Sequence, residues 1–353
     1  VQNIDVELIE EEWDDDFRPP RGKHYSVAAS DRIDQDEPAR AVAVDRGRVT
    51  VLLDGAIVEA AYAGSMRGQR VVVGDHVRVR PARHQGDTAR VTALLDRTSM
   101  LQRTGDDAIN EPRTIAANVD QVVVVLAGDH LDAGARFLDR VLVAAEVGGV
   151  DAMLCVNKLD IADPDAVAAV RGRYEHIGYP TLAVSAITGE GVDQLRWALE
   201  GVWSVFTGHS GVGKSSLYNL LVPDAEQAVA TVGRRGGRHT TVASRAEPVA
   251  GLEDGWIVDT PGVRSFGIGF VAEEQLGSAF RELRGLGCAH EDCRHDGEPG
   301  CRLDTAEITD SRLATYRRLL SSLRGDDAWE RDEWAGDPAD DPSDDSSDDE
   351  DQT

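Results

Sequence analysis

Gly208-His209-Ser210-Gly211-Val212-Gly213-Lys214-Ser215 is the stretch on which the fold of this chain turns. Two glycines with four residues between them stand directly before a Lys-Ser pair, the spacing of a phosphate-binding loop. Residues 203–207 read as a strand and 216–221 as a helix, the context that such a loop requires. Glycine is needed because backbone N–H groups must close around phosphate oxygens, and the helix N-terminus adds a favourable dipole. Lys214 is then expected on the β- and γ-phosphates and the Ser215 hydroxyl on Mg²⁺. A plain glycine turn between a strand and a helix would leave the Lys-Ser pair unexplained.

On either side the pattern alternates. Residues 121–127, 152–156, 181–184 and 255–258 read as buried strands, and 135–147, 164–177 and 192–200 as helices. This implies an α/β domain with a parallel sheet covered on both faces. Asn157-Lys158-Leu159-Asp160 follows the strand 152–156, at the end where such sheets bind ligands. A carboxylate at Asp160 can accept hydrogen bonds from N1–H and the 2-amino group of guanine, a donor pair that adenine lacks. The Lys158 stem would cover the base plane. In Ser185-Ala186-Ile187, a backbone N–H is available for the guanine O6. A four-residue Asn-Lys-x-Asp pattern could be a surface turn; its pairing with a phosphate loop argues for one nucleotide site.

Asp259-Thr260-Pro261-Gly262 closes the strand 255–258. Asp259 is expected to hold Mg²⁺ through water and the Gly262 amide to meet the γ-phosphate. Between it and the phosphate loop lies Gly233-Arg234-Arg235-Gly236-Gly237-Arg238-His239-Thr240-Thr241, a basic, glycine-rich loop suited to a switch. Either Thr240 or Thr241 could complete the magnesium shell. Ordinary GTPases run phosphate loop, switch threonine, D-x-x-G, N-K-x-D and S-A-x; here the last two come first. A circular permutation preserves the sheet and attaches the segment after residue 262 to the second switch.

That downstream segment includes Cys288-x4-Cys293-x-His295-x5-Cys301. Three thiolates and one imidazole match the closed shell of a structural zinc ion, and Gly297, Pro299 and Gly300 supply turns. A metal-free cluster is the bland alternative, and His290 is a competing ligand. Cys155, alone on a strand, reads as core.

Upstream, residues 41–44, 48–53, 57–61, 69–73, 76–81 and 89–95 form short strand-like runs between turn signals such as Asp54-Gly55 and Gly74-Asp75. They suit a small closed barrel of the OB type. The net charge of −27 argues at first against a nucleic-acid partner. However, 326–353 holds fourteen acidic residues and one Arg, whereas 40–103 holds eleven Arg against six acidic residues. Screening confines these fields to roughly 10 Å, so the local excess of Arg favours RNA contact over a purely structural barrel. No apolar run reaches membrane-spanning length, and the polar start lacks signal-peptide character. A cytoplasmic protein is expected.

These motifs together resemble the ribosome small-subunit-dependent GTPase A family, over residues 38–324. They are N-K-L-D, S-A-I-T-G-E-G, G-H-S-G-V-G-K-S-S-L, G-R-H-T-T, D-T-P-G-V and the cysteine cluster; Arg97-Thr98-Ser99-Met100-Leu101-Gln102-Arg103 is also family-like. The resemblance implies an OB-fold barrel, a permuted GTPase domain and a mainly helical zinc domain. It implies late maturation of the 30S subunit with subunit-stimulated hydrolysis, and hence GTP/GDP, the small subunit and its rRNA as partners. Carried over by position, the nucleotide contacts are Asn157, Lys158, Asp160 and the loop Gly208 to Ser216; zinc falls on Cys288, Cys293, His295 and Cys301. The expected division is a lead-in at 1–37, barrel at 38–103, GTPase domain at 104–270, zinc domain at 271–325 and acidic tail at 326–353, in a monomer. Val263 stands where Ras-like enzymes carry the glutamine that orients water. A switch-loop or ribosomal group must then do so, and His239 is the candidate, with RNA contact as its other reading. The tail reads as solvating disorder, with mimicry of RNA against the barrel as an alternative. A nucleotide-gated RNA scaffold with little turnover and an ATP-dependent P-loop enzyme are the competing functions.

Overall fold

A computed structural model of the chain describes residues 36–45, 47–82, 84, 87–104, 112–222, 244–259, 266–290 and 292–325. The expected lead-in, apart from residues 36 and 37, and the acidic tail lie outside the described residues, as do His239, Thr240, Thr241, Gly262 and Val263.

Five strands form the barrel: β1 (Glu37–Asp45), β2 (Arg48–Leu53), β3 (Ala56–Tyr62), β4 (His76–Arg80) and β5 (Ala89–Leu94). β1 pairs with both β2 and β4, β2 with β3, and β5 with both β3 and β4, so the ring closes in the order 1-2-3-5-4. Alternate residues such as Val49, Val51, Val77, Val79 and Val91 fill its interior, as the period of two demands. The expected strand at 69–73 is absent. There the Asp75 carboxylate accepts from the Val72 amide at 2.8 Å, and Val73 makes only an isolated bridge to Ala116. A side-chain acceptor has replaced the ladder partner, turning the chain at Gly74 instead of extending it.

Two strands not anticipated, β6 (Met100–Thr104) and β7 (Pro112–Ala117), form an antiparallel pair. Then come β8 (Gln121–Ala127), α1 (Leu131–Gly148), β9 (Asp151–Asn157), α2 (Pro164–His176), β10 (Thr181–Ala183), α3 (Val192–Ala198), β11 (Trp203–Thr207) and α4 (Lys214–Leu221). β12 (Arg245–Pro248), also unanticipated, and β13 (Trp256–Asp259) come next, and the last helices among the described residues are α5 (Glu273–Ala279) and α6 (Asp310–Arg324). The sheet runs β10-β9-β8-β11-β13-β12 and continues into the barrel through β12 and β1. β10, β9, β8, β11 and β13 are parallel; β12 is antiparallel.

All seven residues of β8 are buried. Its alternation divides them between two cores: Val122, Val124 and Leu126 pack with α1, α5 and α6 residues, and Val123 and Val125 with α3 and α4 residues. Continuous apolarity in this strand is therefore the signature of a sheet with both faces covered. The chain winds from β8 out to β10, then returns to place β11 on the other side of β8. That reversal opens a crevice at the carboxyl ends of β8 and β11. Among the described residues, no helix is long and apolar enough to cross a membrane.

Candidate nucleotide site and metal centre

β9 delivers Asn157 to the crevice, and this side chain is the hub of the site. Only 2% exposed, it donates from Nδ2 to the Val212 carbonyl at 2.9 Å and accepts at Oδ1 from the Ala186 amide at 3.1 Å. The segment Asn157 to Asp160, the phosphate loop and the Ser185-Ala186 turn are thus joined by one amide. The Leu159 amide donates to the Val184 carbonyl at 3.0 Å, a further tie between these two loops. Lys158 is left-handed, with φ of 64°, so the chain reverses and Asp160 faces Ser185. The Ser185 hydroxyl donates to the Asp160 Oδ1 at 2.5 Å. This bond orients the carboxylate while leaving its second oxygen for a ligand.

The phosphate loop leaves β11 and enters α4, which begins at Lys214. Gly213, with φ of 89°, is required twice over: a Cβ there would stand 2.2 Å from the Asn157 Nδ2. The Lys214 ammonium turns back onto its own loop, donating to the Gly208 carbonyl at 2.5 Å and the His209 carbonyl at 2.6 Å. Burial lowers the pKa of Lys214, and the Asp259 carboxylate opposes that shift. Ser215, Ser216 and Gly211 are exposed at the mouth and Val212 is buried beneath it. His209 is half-buried; burial first, then the charges of Lys214 and Arg140, hold its imidazole below the usual range.

Asp259 ends β13 opposite Phe206 of β11, close in register to Gly208, and is exposed. Ser215 and Asp259 therefore present a hydroxyl and a carboxylate near the loop, the oxygen donors that Mg²⁺ takes alongside phosphates.

One participant is not marked by any motif. Asp129, just beyond β8, accepts from the Lys158 ammonium at 3.2 Å and lies 3.3 Å from the His130 Nδ1. Burial pushes its pKa up, but the bonds from Lys158 and His130 outweigh that and leave it lowered. An acidic residue two places past a fully buried strand was the available signal.

The cysteine cluster lies between α5 and α6. Cys288, Cys293, His295 and Cys301 hold their ligand atoms within 4.8 Å of one another. The His295 Nδ1 stands 3.6, 3.7 and 3.6 Å from the sulfurs of Cys288, Cys293 and Cys301. A tetrahedral centre with Zn–S of about 2.3 Å and Zn–N of about 2.0–2.1 Å separates sulfur from nitrogen by about 3.6 Å. The donor set and its spacing thus fit one zinc ion bound through Nδ1, a closed shell with no position for substrate. His290 is exposed and outside the cluster. Gly300 permits the turn, since a Cβ there would meet that of Ala289 at 2.5 Å. The Arg302 amide points at the Cys288 sulfur at 3.3 Å, a donor of the kind that steadies a metal-bound thiolate. Cys155 is fully buried, its thiol pushed up to about 12 by burial, and belongs to the core.

Comparison with known proteins points the same way. The model describing the RsgA GTPase family matches residues 94–269. A small ribosomal subunit biogenesis GTPase RsgA of Ectopseudomonas mendocina (strain ymp) is 41% identical over 268 residues, covering 73% of this chain and 76% of the relative. That of Bacteroides fragilis (strain ATCC 25285) is 37% identical over 284 residues, covering 76% and 90%. Among solved structures, YjeQ from Thermotoga maritima superposes with a TM-score of 0.66 at 28% identity, covering 82% of this chain and 99% of its own. YloQ, a circularly permuted GTPase, superposes with a TM-score of 0.62 at 24% identity, covering 85% and 99%, a likeness of fold.

Proposed function

Because this chain belongs to the RsgA GTPase family, we propose that it hydrolyses GTP in the biogenesis of the small ribosomal subunit, with hydrolysis stimulated by the subunit. The observation that carries the reading is the Asn157 bridge, which brings base-reading and phosphate-binding segments into one crevice despite their reversed order. Asp160, oriented by Ser185, would accept from the guanine edge; Lys158 would lie over the base and the Ala186 amide near O6. Lys214 would exchange its loop carbonyls for phosphate oxygens.

Mg²⁺, held by Ser215, Asp259 and Thr240 or Thr241, would offset charge on the β- and γ-phosphates. Water activation falls to a switch-loop or ribosomal group, because Val263 has no polar side-chain atom to orient it. His239 is assigned that role. The barrel (38–103) and zinc module (271–325) flank the GTPase domain (104–270) as surfaces for rRNA. Arg67, Arg70 and Arg90 are exposed on the barrel, in keeping with phosphate contact. A ribosomal partner supports reading the protein as cytoplasmic, and it would act as a monomer.

The test is GTP turnover with and without purified small subunits. Stimulation of at least about tenfold, abolished by His239→Ala with nucleotide binding retained, is expected from the size of general-base effects. Absence of stimulation would favour a nucleotide-gated scaffold. Adenine preference, unaffected by Asp160→Asn, would overturn the guanine assignment.

A further inference from the structure

α1 lies between the phosphate loop and the zinc module, and its two flanks are differently equipped. On one flank, the Phe137 ring sits 4.6 Å from the His209 ring of the phosphate loop. It also meets Phe266 edge-on, with centroids 6.2 Å apart. Phe266 is the first described residue after Asp259-Thr260-Pro261-Gly262, and its neighbour Gly267 is pinned by the Thr104 amide at 2.9 Å. Phe137 and Phe266 are 4% and 1% exposed, so this contact is solid core, with no slack for independent movement.

The other flank begins two residues on. Asp139 is turned about 200° around the helix from Phe137 and is buried against Arg312 of α6, with N–O of 2.5 Å. Arg312 also pairs with Glu282 at 2.7 Å; both side chains are almost fully buried, at 4% and 2% exposure. Glu146, a further two turns along α1 and on the Asp139 side, receives Arg281 at 2.6 Å and Arg284. A single helix therefore touches the phosphate loop and the end of the switch segment with one side, and grips the zinc module with the other.

We infer that Phe137 is a positioning residue for hydrolysis, setting the phosphate loop against the chain leaving the second switch, and that α1 carries the nucleotide state to the zinc module. The inference rests on the GTPase reading above. It adds a second connection to the covalent one at residue 262. A shift of the phosphate loop pushes on Phe137. α1 moves as a rod, and Asp139 and Glu146 pass that movement on because buried, multiply bonded charges resist changing partners. Docking of the module would act in reverse by the same route.

The test uses the full chain, as wild type, Phe137→Leu and Glu282→Gln. Binding sites are counted by GDP titration, turnover is measured per site, and amide exchange of α6 is compared with GDP and with a non-hydrolysable GTP analogue. Phe137→Leu should keep GDP affinity within about threefold while kcat falls at least about tenfold, as expected of an ångström-scale misplacement. In the wild type, α6 exchange should differ between the two nucleotides, and both variants should lose that difference. A Phe137→Leu protein with wild-type kcat per site, or wild-type α6 exchange indifferent to the nucleotide, overturns the inference. If Phe137→Leu does not fold, the wild type and Glu282→Gln decide. A wild type that binds no guanine nucleotide instead refutes the GTPase reading itself.

Discussion

Replacing Asn157 with Ala should damage nucleotide binding through the loss of two loop contacts as well as any contact of its own with the nucleotide. Its amide makes two bonds, to the Val212 carbonyl at 2.9 Å and from the Ala186 amide at 3.1 Å, and it is 2% exposed. Truncation strands both partners where water has little access, at about 1–3 kcal/mol for each unsatisfied group. Part of that loss appears as lower stability of the free protein. The remainder, about 2–3 kcal/mol, must be supplied by the nucleotide when it draws the loops together, which raises the GDP Kd about 30- to 150-fold. Asn157→Asp separates the two bonds: a carboxylate still accepts from Ala186 but cannot donate to Val212, and it repels that carbonyl. The assay is calorimetric titration with GDP, alongside thermal melting of the free proteins. Wild-type Kd in both variants would show that the loops are held together by something else, and the bridge would lose its role.

Removal of zinc is expected to unfold the region between α5 and α6 first, because the cluster stands among short turns with few apolar contacts. A strong chelator should release one zinc per chain, and His295→Ala should release it at far lower chelator concentration; a metal-free protein with unchanged α6 exchange would refute this. Glu146 supplies the pH dependence. Burial raises its pKa, but the Arg284 bond, the Arg281 charge and the Tyr179 bond outweigh burial, so the folded value lies below the ordinary 4.5. Its contribution is therefore complete above about pH 4.5 and is lost as pH falls through the lower folded value. Glu146→Gln should lower the melting temperature at neutral pH and flatten the acid limb, and a limb as steep as in wild type would contradict it.

The sequence determined the chemistry because its motifs are local. A phosphate loop needs its glycines and Lys-Ser pair in one run, and an Asn-Lys-x-Asp turn or a Cys3His cluster carries its ligands within a few residues. The parallel strands were legible for a similar reason: 121–127 and 203–207 coincide with β8 and β11 because burial on both faces leaves a run without charged residues. Less was visible where pairing is long-range. β6, β7 and β12 are short and carry charged or half-buried residues, so only their partners define them. The reverse happened at 69–73, where a β-rich run lost its ladder to the Asp75 carboxylate.

Tertiary structure alone decided which distant groups bond to one another. Nothing in the spacing of Asn157 and Val212, of Asp129 and Lys158, or of Asp139 and Arg312 announces a contact. Those pairs are 55, 29 and 173 residues apart. The first meeting follows from the return of β11 to the side of β8, the second from the pairing of β8 with β9, and the third from the packing of α1 against α6. Local pattern encodes what each segment can bind; the sheet's winding determines which segments bind together.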